Sequence, residues 1–234
     1  MFRWLRTVDR CLLDLFYPQR TICLGCGRLS RGEWMCDACA EEMQGLRIGE
    51  PICRRCGHPV KEGRACRFCH GRLPVILRSA WRHKDPARKL VSRLKYEAEA
   101  ACVQPLARGV AEMIRSLEPS PDTLVTWVTM PDRRRRQRGI DHGCLLAQEA
   151  AKLCGLNCRR LLIRRDDRHT QRGLGRAERM QNLWGAFACE EELTGPVILV
   201  DDVVTTSATA QLCAACLYAA GAAQVMVVTA TMAE

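Results

Sequence analysis

Val197-Ile198-Leu199-Val200-Asp201-Asp202-Val203-Val204-Thr205-Thr206-Ser207-Ala208-Thr209 is the stretch on which the reading of this chain turns. Its branched apolar run, entered from Gly195-Pro196, predicts a strand buried on both faces. The strand empties through a pair of carboxylates into a short hydroxyl-rich turn, and a helical run follows. In α/β proteins such a turn binds phosphorylated ligands, because unpaired backbone N–H groups point at the anion there. A buried strand followed by a Ser/Thr helix cap is the plainer alternative. It leaves the adjacent Asp201 and Asp202 unexplained, since two like charges at a strand end repel unless something uses them.

Working outward, the same alternation of strand and helix runs back to Thr123. Strands are expected over 123–130, at Leu161 to Ile163, at 185–189 and over 225–231, and a helix from Asp141 to Leu153 with Asp141 as its cap. Upstream, Leu73 to Arg82 reads as the strand that enters the main unit. Pro86 then opens a helix with Leu90, Val91, Leu94 and Tyr96 on one side and Arg88, Lys89, Arg93 and Lys95 on the other. A second helical run passes Pro105 and stops before Pro119-Ser120-Pro121. The pattern predicts a parallel sheet with helices on both faces.

Two arginine-rich loops are expected at the carboxyl edge of that sheet, beside Asp201 and Asp202. One is Arg133, Arg134, Arg135, Arg136 and Arg138 after Pro131-Asp132. The other runs from Arg164 to Arg179. An anion placed at that edge meets N–H groups, hydroxyls and guanidinium forks together. The charge is distributed to match. The net charge is +10, yet residues 71–180 carry 24 Lys/Arg against 12 Asp/Glu, while residues 181–234 carry none against 6. A polyanionic partner fits this balance, and so does a solvated basic surface.

The amino-terminal third has a chemistry of its own. Cys23, Cys26, Cys36 and Cys39 form two Cys-x-x-Cys pairs, and Cys53, Cys56, Cys66 and Cys69 repeat them at similar spacing. Such a knuckle presents two thiolates to one ion through a tight turn, and four thiolates close a tetrahedral structural Zn²⁺ site. Gly27 and Gly57 relax the two turns. Spacing alone allows each half to close its own site or the halves to interleave. His58 and His70 are left out, because four sulfurs already satisfy zinc. The other eight of the 16 cysteines lie among apolar residues and read as small buried hydrophobes. Residues 1–18 read as an amphipathic helix, 19–72 as a double zinc ribbon and 73–234 as the α/β unit. No run of about eighteen uninterrupted apolar residues is present, so no membrane span is expected.

Together these residues resemble a known family. Val197 to Thr209 is similar to the phosphoribosyl pyrophosphate (PRPP) signature of type I phosphoribosyltransferases. The cysteine knuckles, the Arg88-to-Tyr96 helix, Arg138-Gly139 and the Gln171-to-Asn182 stretch resemble the ComF-family proteins of bacterial DNA uptake. The resemblance implies a type I phosphoribosyltransferase-like sheet flanked by helices, behind a four-cysteine double zinc ribbon. It implies that Asp201 and Asp202 hold ribose hydroxyls and that Thr205, Thr206, Ser207, Ala208 and Thr209 wrap a 5′-phosphate. Pro131 to Arg138 would lie near a pyrophosphate bridged by Mg²⁺, and Arg168, Gln171, Arg176 and Arg179 would belong to a flexible closing loop. It further implies single-stranded DNA as a partner, cytoplasmic action during natural transformation, and a helicase-like protein nearby. The chain departs from the family at Ser207, where glycine is usual, and at Asp141-His142, in place of Asn-Gln. Trp81, Tyr96 and Trp184 are candidate base-stacking aromatics, with core packing the favoured reading for Trp127 and Trp184. Two alternatives are an active phosphoribosyltransferase with an unidentified acceptor, whose hood would come from residues 1–118, and an adaptor that docks a DNA-uptake helicase through its ribbons.

Overall fold

The computed structural model describes residues 22–30, 34–61, 64–69, 74–164 and 186–233, without the side chains of Asp132 and Arg138. The expected amino-terminal helix, Trp184, His70 and the loop residues Arg168, Gln171, Arg176 and Arg179 lie outside the described residues.

Two nine-residue strands, β6 (Pro196–Val204) and β7 (Gln224–Met232), pair in parallel at the centre of a five-stranded sheet. β7 also pairs with β1 (Ile76–Arg82), and β6 with β2 (Leu124–Trp127), which in turn pairs with the two-residue β3 (Asn157–Cys158). All are parallel, in the order β1-β7-β6-β2-β3. The strand expected over 123–130 is shorter than its apolar run, and β3 was not anticipated. Ile163–Arg164 (β4) does not join this sheet. It pairs antiparallel with Phe187–Ala188 (β5) as a separate ribbon.

Each face of the sheet has its own core, because β6 and β7 are apolar on both sides. Helices α2 (Ala87–Tyr96), α3 (Val103–Arg115) and α5 (His142–Cys154) cover Ile198, Val200 and Val228 on one face. Helix α6 (Ala208–Ala219) and the β4–β5 ribbon cover Leu199, Val225 and Val227 on the other. The Arg133–Arg136 stretch, expected as a loop, is helical: α4 (Asp132–Arg138) starts after Pro131 and ends at Gly139, whose φ of 71° terminates it. Tyr96, grouped with the apolar side of α2 and also a candidate stacking aromatic, is 74% exposed. Helical spacing from Val91 instead brings Lys95 toward the sheet.

The ribbon module packs along β1, the outer edge of the sheet. Arg82 N–H donates to Leu46 O at 2.9 Å, and Leu77 N–H donates to Arg55 O at 2.6 Å. The first ribbon, which includes α1 (Asp37–Gly45), lends Leu24 and Met43 to one core. The second lends Cys56 and Cys66 to the other. Gly57 makes the second contact fit: its φ is +69°, and a Cβ there would come within 2.7 Å of Leu77 O. Trp81, a candidate stacking aromatic, is core instead. Its ring lies over Gly109 of α3, and the Arg47 guanidinium sits 4.6 Å from the ring centroid while bonding Glu112 at 2.6 Å. Trp127 is buried, as favoured.

A Cβ at Gly109 would overlap the Trp81 ring. Alanine is worth about 1 kcal/mol over glycine in an open helix interior. Overpacking reverses that sign here, so Gly109→Ala is expected to lower unfolding stability by about 1–3 kcal/mol, read as a lower urea midpoint at unchanged slope.

Candidate functional site

The connection from β6 runs to β7, while the connection from β2 runs through α4 and α5 to β3 on the other side. The sheet order therefore reverses between β6 and β2, and the crevice beyond their carboxyl ends is where open α/β sheets take ligands. Register opens that crevice further. β2 pairs with β6 only as far as Val200, whereas β7 accompanies β6 to Val204. Asp201 and Asp202 thus sit inside the strand but beyond the end of one neighbour.

The two carboxylates have different surroundings. Asp202 is 4% exposed and meets Lys95 Nζ of α2 at 2.7 Å and His142 Nε2 of α5 at 2.8 Å. Burial works against its charge, but the bond from His142 and the Lys95 charge prevail and hold it below the usual carboxylate range. Asp201 accepts from the Asp202 N–H at 2.9 Å and otherwise faces a hollow of about 50 Å³ shared with Thr229 and the 205–210 turn. Burial, followed by the neighbouring Asp202 charge, pushes it up to about 8. The like-charge pair flagged by the sequence is therefore resolved mostly within the protein. One charge is neutralised by Lys95, with His142 beside it, and burial favours the protonated form of the other group.

His142 is the first residue of α5, and Asp141 just before it caps the helix by accepting from Cys144 N–H at 3.0 Å. Neither Lys95 nor His142 was singled out from the sequence. The available signals were the Asp141-His142 departure and the phase of Lys95 on α2.

Thr205 and Thr206 are exposed, while Ser207, Ala208 and Thr209 are half-buried at the start of α6. Ser207 takes the left-handed conformation itself, φ 58°, at a cost of roughly 1–2 kcal/mol relative to the ordinary region. Its Oγ donates to Thr206 O at 2.6 Å and accepts from Gln211 Nε2 at 2.8 Å, which holds the turn. Arg133, Arg134, Arg135 and Arg136 are exposed on α4, which leaves the same carboxyl edge just after β2.

Each four-cysteine group closes on itself. The sulfurs of Cys23, Cys26, Cys36 and Cys39 lie within 4.8 Å of one another, as do those of Cys53, Cys56, Cys66 and Cys69. Zn–S bonds of about 2.3 Å in a tetrahedron separate sulfurs by roughly 3.8 Å. The Cys26–Cys36, Cys53–Cys69 and Cys56–Cys66 separations are 3.8, 3.6 and 3.4 Å. The donor sets therefore fit structural Zn²⁺, paired sequentially rather than interleaved. The Arg28 backbone N–H and side chain lower Cys26 to about 6, toward the ligating thiolate.

Comparison with known proteins agrees with this organisation. The family described as Double zinc ribbon domain matches residues 12–70. "DNA utilization protein YhgH" of Salmonella typhi is 30% identical over 210 residues, covering 85% of this chain and 91% of that protein. "Competence protein F" of Haemophilus influenzae is 25% identical, covering 85% of each chain. "Competence protein ComFC" of Bacillus subtilis is 24% identical, covering 83% of this chain and 82% of its own. Among solved structures, the B. subtilis glutamine PRPP amidotransferase overlaps 59% of this chain and 30% of its own, at 16% identity and a TM-score of 0.40. Adenine phosphoribosyltransferase of Leishmania tarentolae overlaps 57% and 71%, at 15% identity and a TM-score of 0.35. The chain belongs to the ComF family of competence and DNA-utilization proteins. Among the described residues no helix is long and apolar enough to cross a membrane.

The raised Asp201 has a signed consequence. Between the ordinary carboxylate range and about 8, the folded state holds a proton that the unfolded chain has released, so stability falls as pH rises through that window. Asp201→Asn removes this dependence. It is expected to be more stable than wild type at pH 8, by at least about 1 kcal/mol, with a smaller difference near pH 4. Urea unfolding at both pH values measures it.

Proposed function

We propose that this chain acts in the cytoplasm during DNA uptake, binding a PRPP-type ligand with Mg²⁺ in the β6–β2 crevice and single-stranded DNA beside it. The observation that carries the reading is the placement of Asp201, Asp202 and the 205–209 turn at the point where the sheet order reverses. The 5′-phosphate takes the free N–H groups at the start of α6, and the ribose hydroxyls take the carboxylates. The pyrophosphate end extends toward Arg133 to Arg136.

Mg²⁺ fits this donor set. It is held by one or two carboxylates together with ligand phosphates, and Asp201 offers a carboxyl that the protein has not paired with a cation. A bound cation favours the charged form of Asp201, which burial disfavours in its absence. Within the protein's own residues, Lys95 and His142 keep Asp202 ionised and in place.

Calorimetric titration with PRPP and Mg²⁺ is expected to give one binding event, weakened at least about tenfold in Asp201→Asn. Since that variant is expected to be the more stable at pH 8, a loss of binding there is not a loss of folding. Absence of binding to wild type overturns the ligand assignment.

DNA binding is read through salt. Each phosphate contact to single-stranded DNA contributes about 0.7 to the slope of log affinity against log salt. Arg133→Ala with Arg134→Ala is therefore expected to weaken binding and lower that slope by about one to two units. An unchanged slope removes α4 from the DNA contact.

A further inference from the structure

Lys95, whose ammonium meets Asp202, stands in the last turn of α2. A helix leaves its final carbonyls without intrahelical partners, and its last turn frays first. A side chain that holds a buried carboxylate from that turn therefore needs the turn itself to be held. Arg93, two residues earlier, is placed to do this. Its carbonyl accepts from Glu97 N–H at 2.9 Å and from Glu99 N–H at 3.3 Å, which closes the backbone around Ala98, whose φ is 53°. Its guanidinium lies 3.4 Å from the Glu97 carboxylate and 3.7 Å from that of Glu99.

One bond of Arg93 leaves the helix. Its Nη1 donates to Leu24 O at 2.9 Å, and Leu24 lies inside the first cysteine knuckle, between Cys23 and Cys26. Leu24 is buried, and its own N–H donates to Trp34 O at 2.8 Å. The partners of Arg93 differ in weight. Glu97 is 61% exposed, and ion pairs so open to water contribute little. A guanidinium bond to a carbonyl of the packed ribbon is charge-assisted and directional. The same knuckle also reaches the start of α2: a Cβ at Gly25 would lie 3.0 Å from Cys39 Sγ and 3.2 Å from Pro86 Cβ. The first ribbon thus holds α2 at both ends, and a segment this small keeps its own fold only with its metal.

We infer that Arg93 is a positioning residue for the crevice: it carries the order of the first zinc knuckle into the last turn of α2, and so keeps Lys95 Nζ on Asp202. The consequence for ligand binding rests on the phosphoribosyl reading; the chain of contacts from knuckle to carboxylate does not. Metal at Cys23, Cys26, Cys36 and Cys39 and ligand in the crevice are thereby coupled, and such coupling runs in both directions.

Acetylation of lysines by an N-hydroxysuccinimide ester, followed residue by residue by mass spectrometry on the zinc-loaded full chain, reads the Lys95 contact without any ligand. Lys89, on the same helix and 52% exposed, is the internal reference. Residues of one bonded network couple by amounts equivalent to roughly twofold to a hundredfold, so Arg93→Ala is expected to raise Lys95 labelling relative to Lys89 at least about threefold. Arg93→Lys, which keeps a charged donor, restores part of the protection. Cys36→Ser, at the first zinc site, raises the labelling as Arg93→Ala does, whereas Cys53→Ser, at the second, leaves it unchanged. Gly109→Ala, a core change away from the end of α2, is the control for general loss of stability and also leaves it unchanged. Calorimetry with PRPP and Mg²⁺ then shows affinity lowered at least about threefold by Arg93→Ala, and lowered no further by the same change in a Lys95→Met background. Unchanged Lys95 labelling in Arg93→Ala overturns the inference whatever the ligand. So does an equal rise in Gly109→Ala, or a full additional loss of affinity in the Lys95→Met background. If labelling rises as expected and wild type binds no PRPP, the phosphoribosyl reading falls, and the link from the first zinc site to Asp202 stands.

Discussion

A buried carboxylate with two cationic or donor partners governs the open end of this sheet. Asp202 lies at the end of β6, Lys95 at the end of α2 and His142 at the start of α5, so their meeting fixes three elements at one point. Removing two charges from water costs several kcal/mol per ion, and only short, well-directed bonds recover it. Such a cluster contributes little net stability over an apolar replacement. What it does supply is a defined position for the strand segment that has lost β2 as a neighbour. Asp201, one residue earlier and without a cationic partner at bonding distance, then stands in the hollow at the turn.

The ribbons stand in a comparable relation to the opposite edge. β1 has β7 on one side only, and an open strand edge invites pairing with other chains. Backbone bonds that β1 donates to Leu46 O and Arg55 O, and one it accepts from Ile48 N–H, cover much of it, and the two ribbons then join the two separate cores. Segments this small bury too little apolar surface to fold alone, so zinc binding supplies their folding free energy. Metal occupancy therefore bears on more than the ribbons themselves, because they cover the edge of the sheet.

The strand-turn-helix of residues 197–209 was legible because a doubly buried strand is an uninterrupted apolar run, and the cysteine knuckles because ligand spacing is local. The Lys95–Asp202–His142 cluster was not. Its members come from three elements, and each alone reads as an ordinary surface cation, strand-end acid or cap-adjacent residue. Arginines 133–136 looked like a loop because repeated charge resembles solvated coil, yet arginine is a good helix former and Pro131 and Gly139 supply the ends. Trp81 appeared available for stacking because its partner, Gly109, has no side chain to announce the contact.

Ser207 connects these observations. Glycine at that position makes the left-handed turn without strain, whereas serine carries a cost that the bond from Gln211 must help to offset. The same bond fixes which end of the Gln211 amide is engaged. A turn built with glycine would avoid the strain but would leave Gln211 without that acceptor. The serine therefore does more than tolerate the turn. It bonds the left-handed residue to the first turn of the helix it opens, so that the turn and the start of α6 form a single, internally bonded segment.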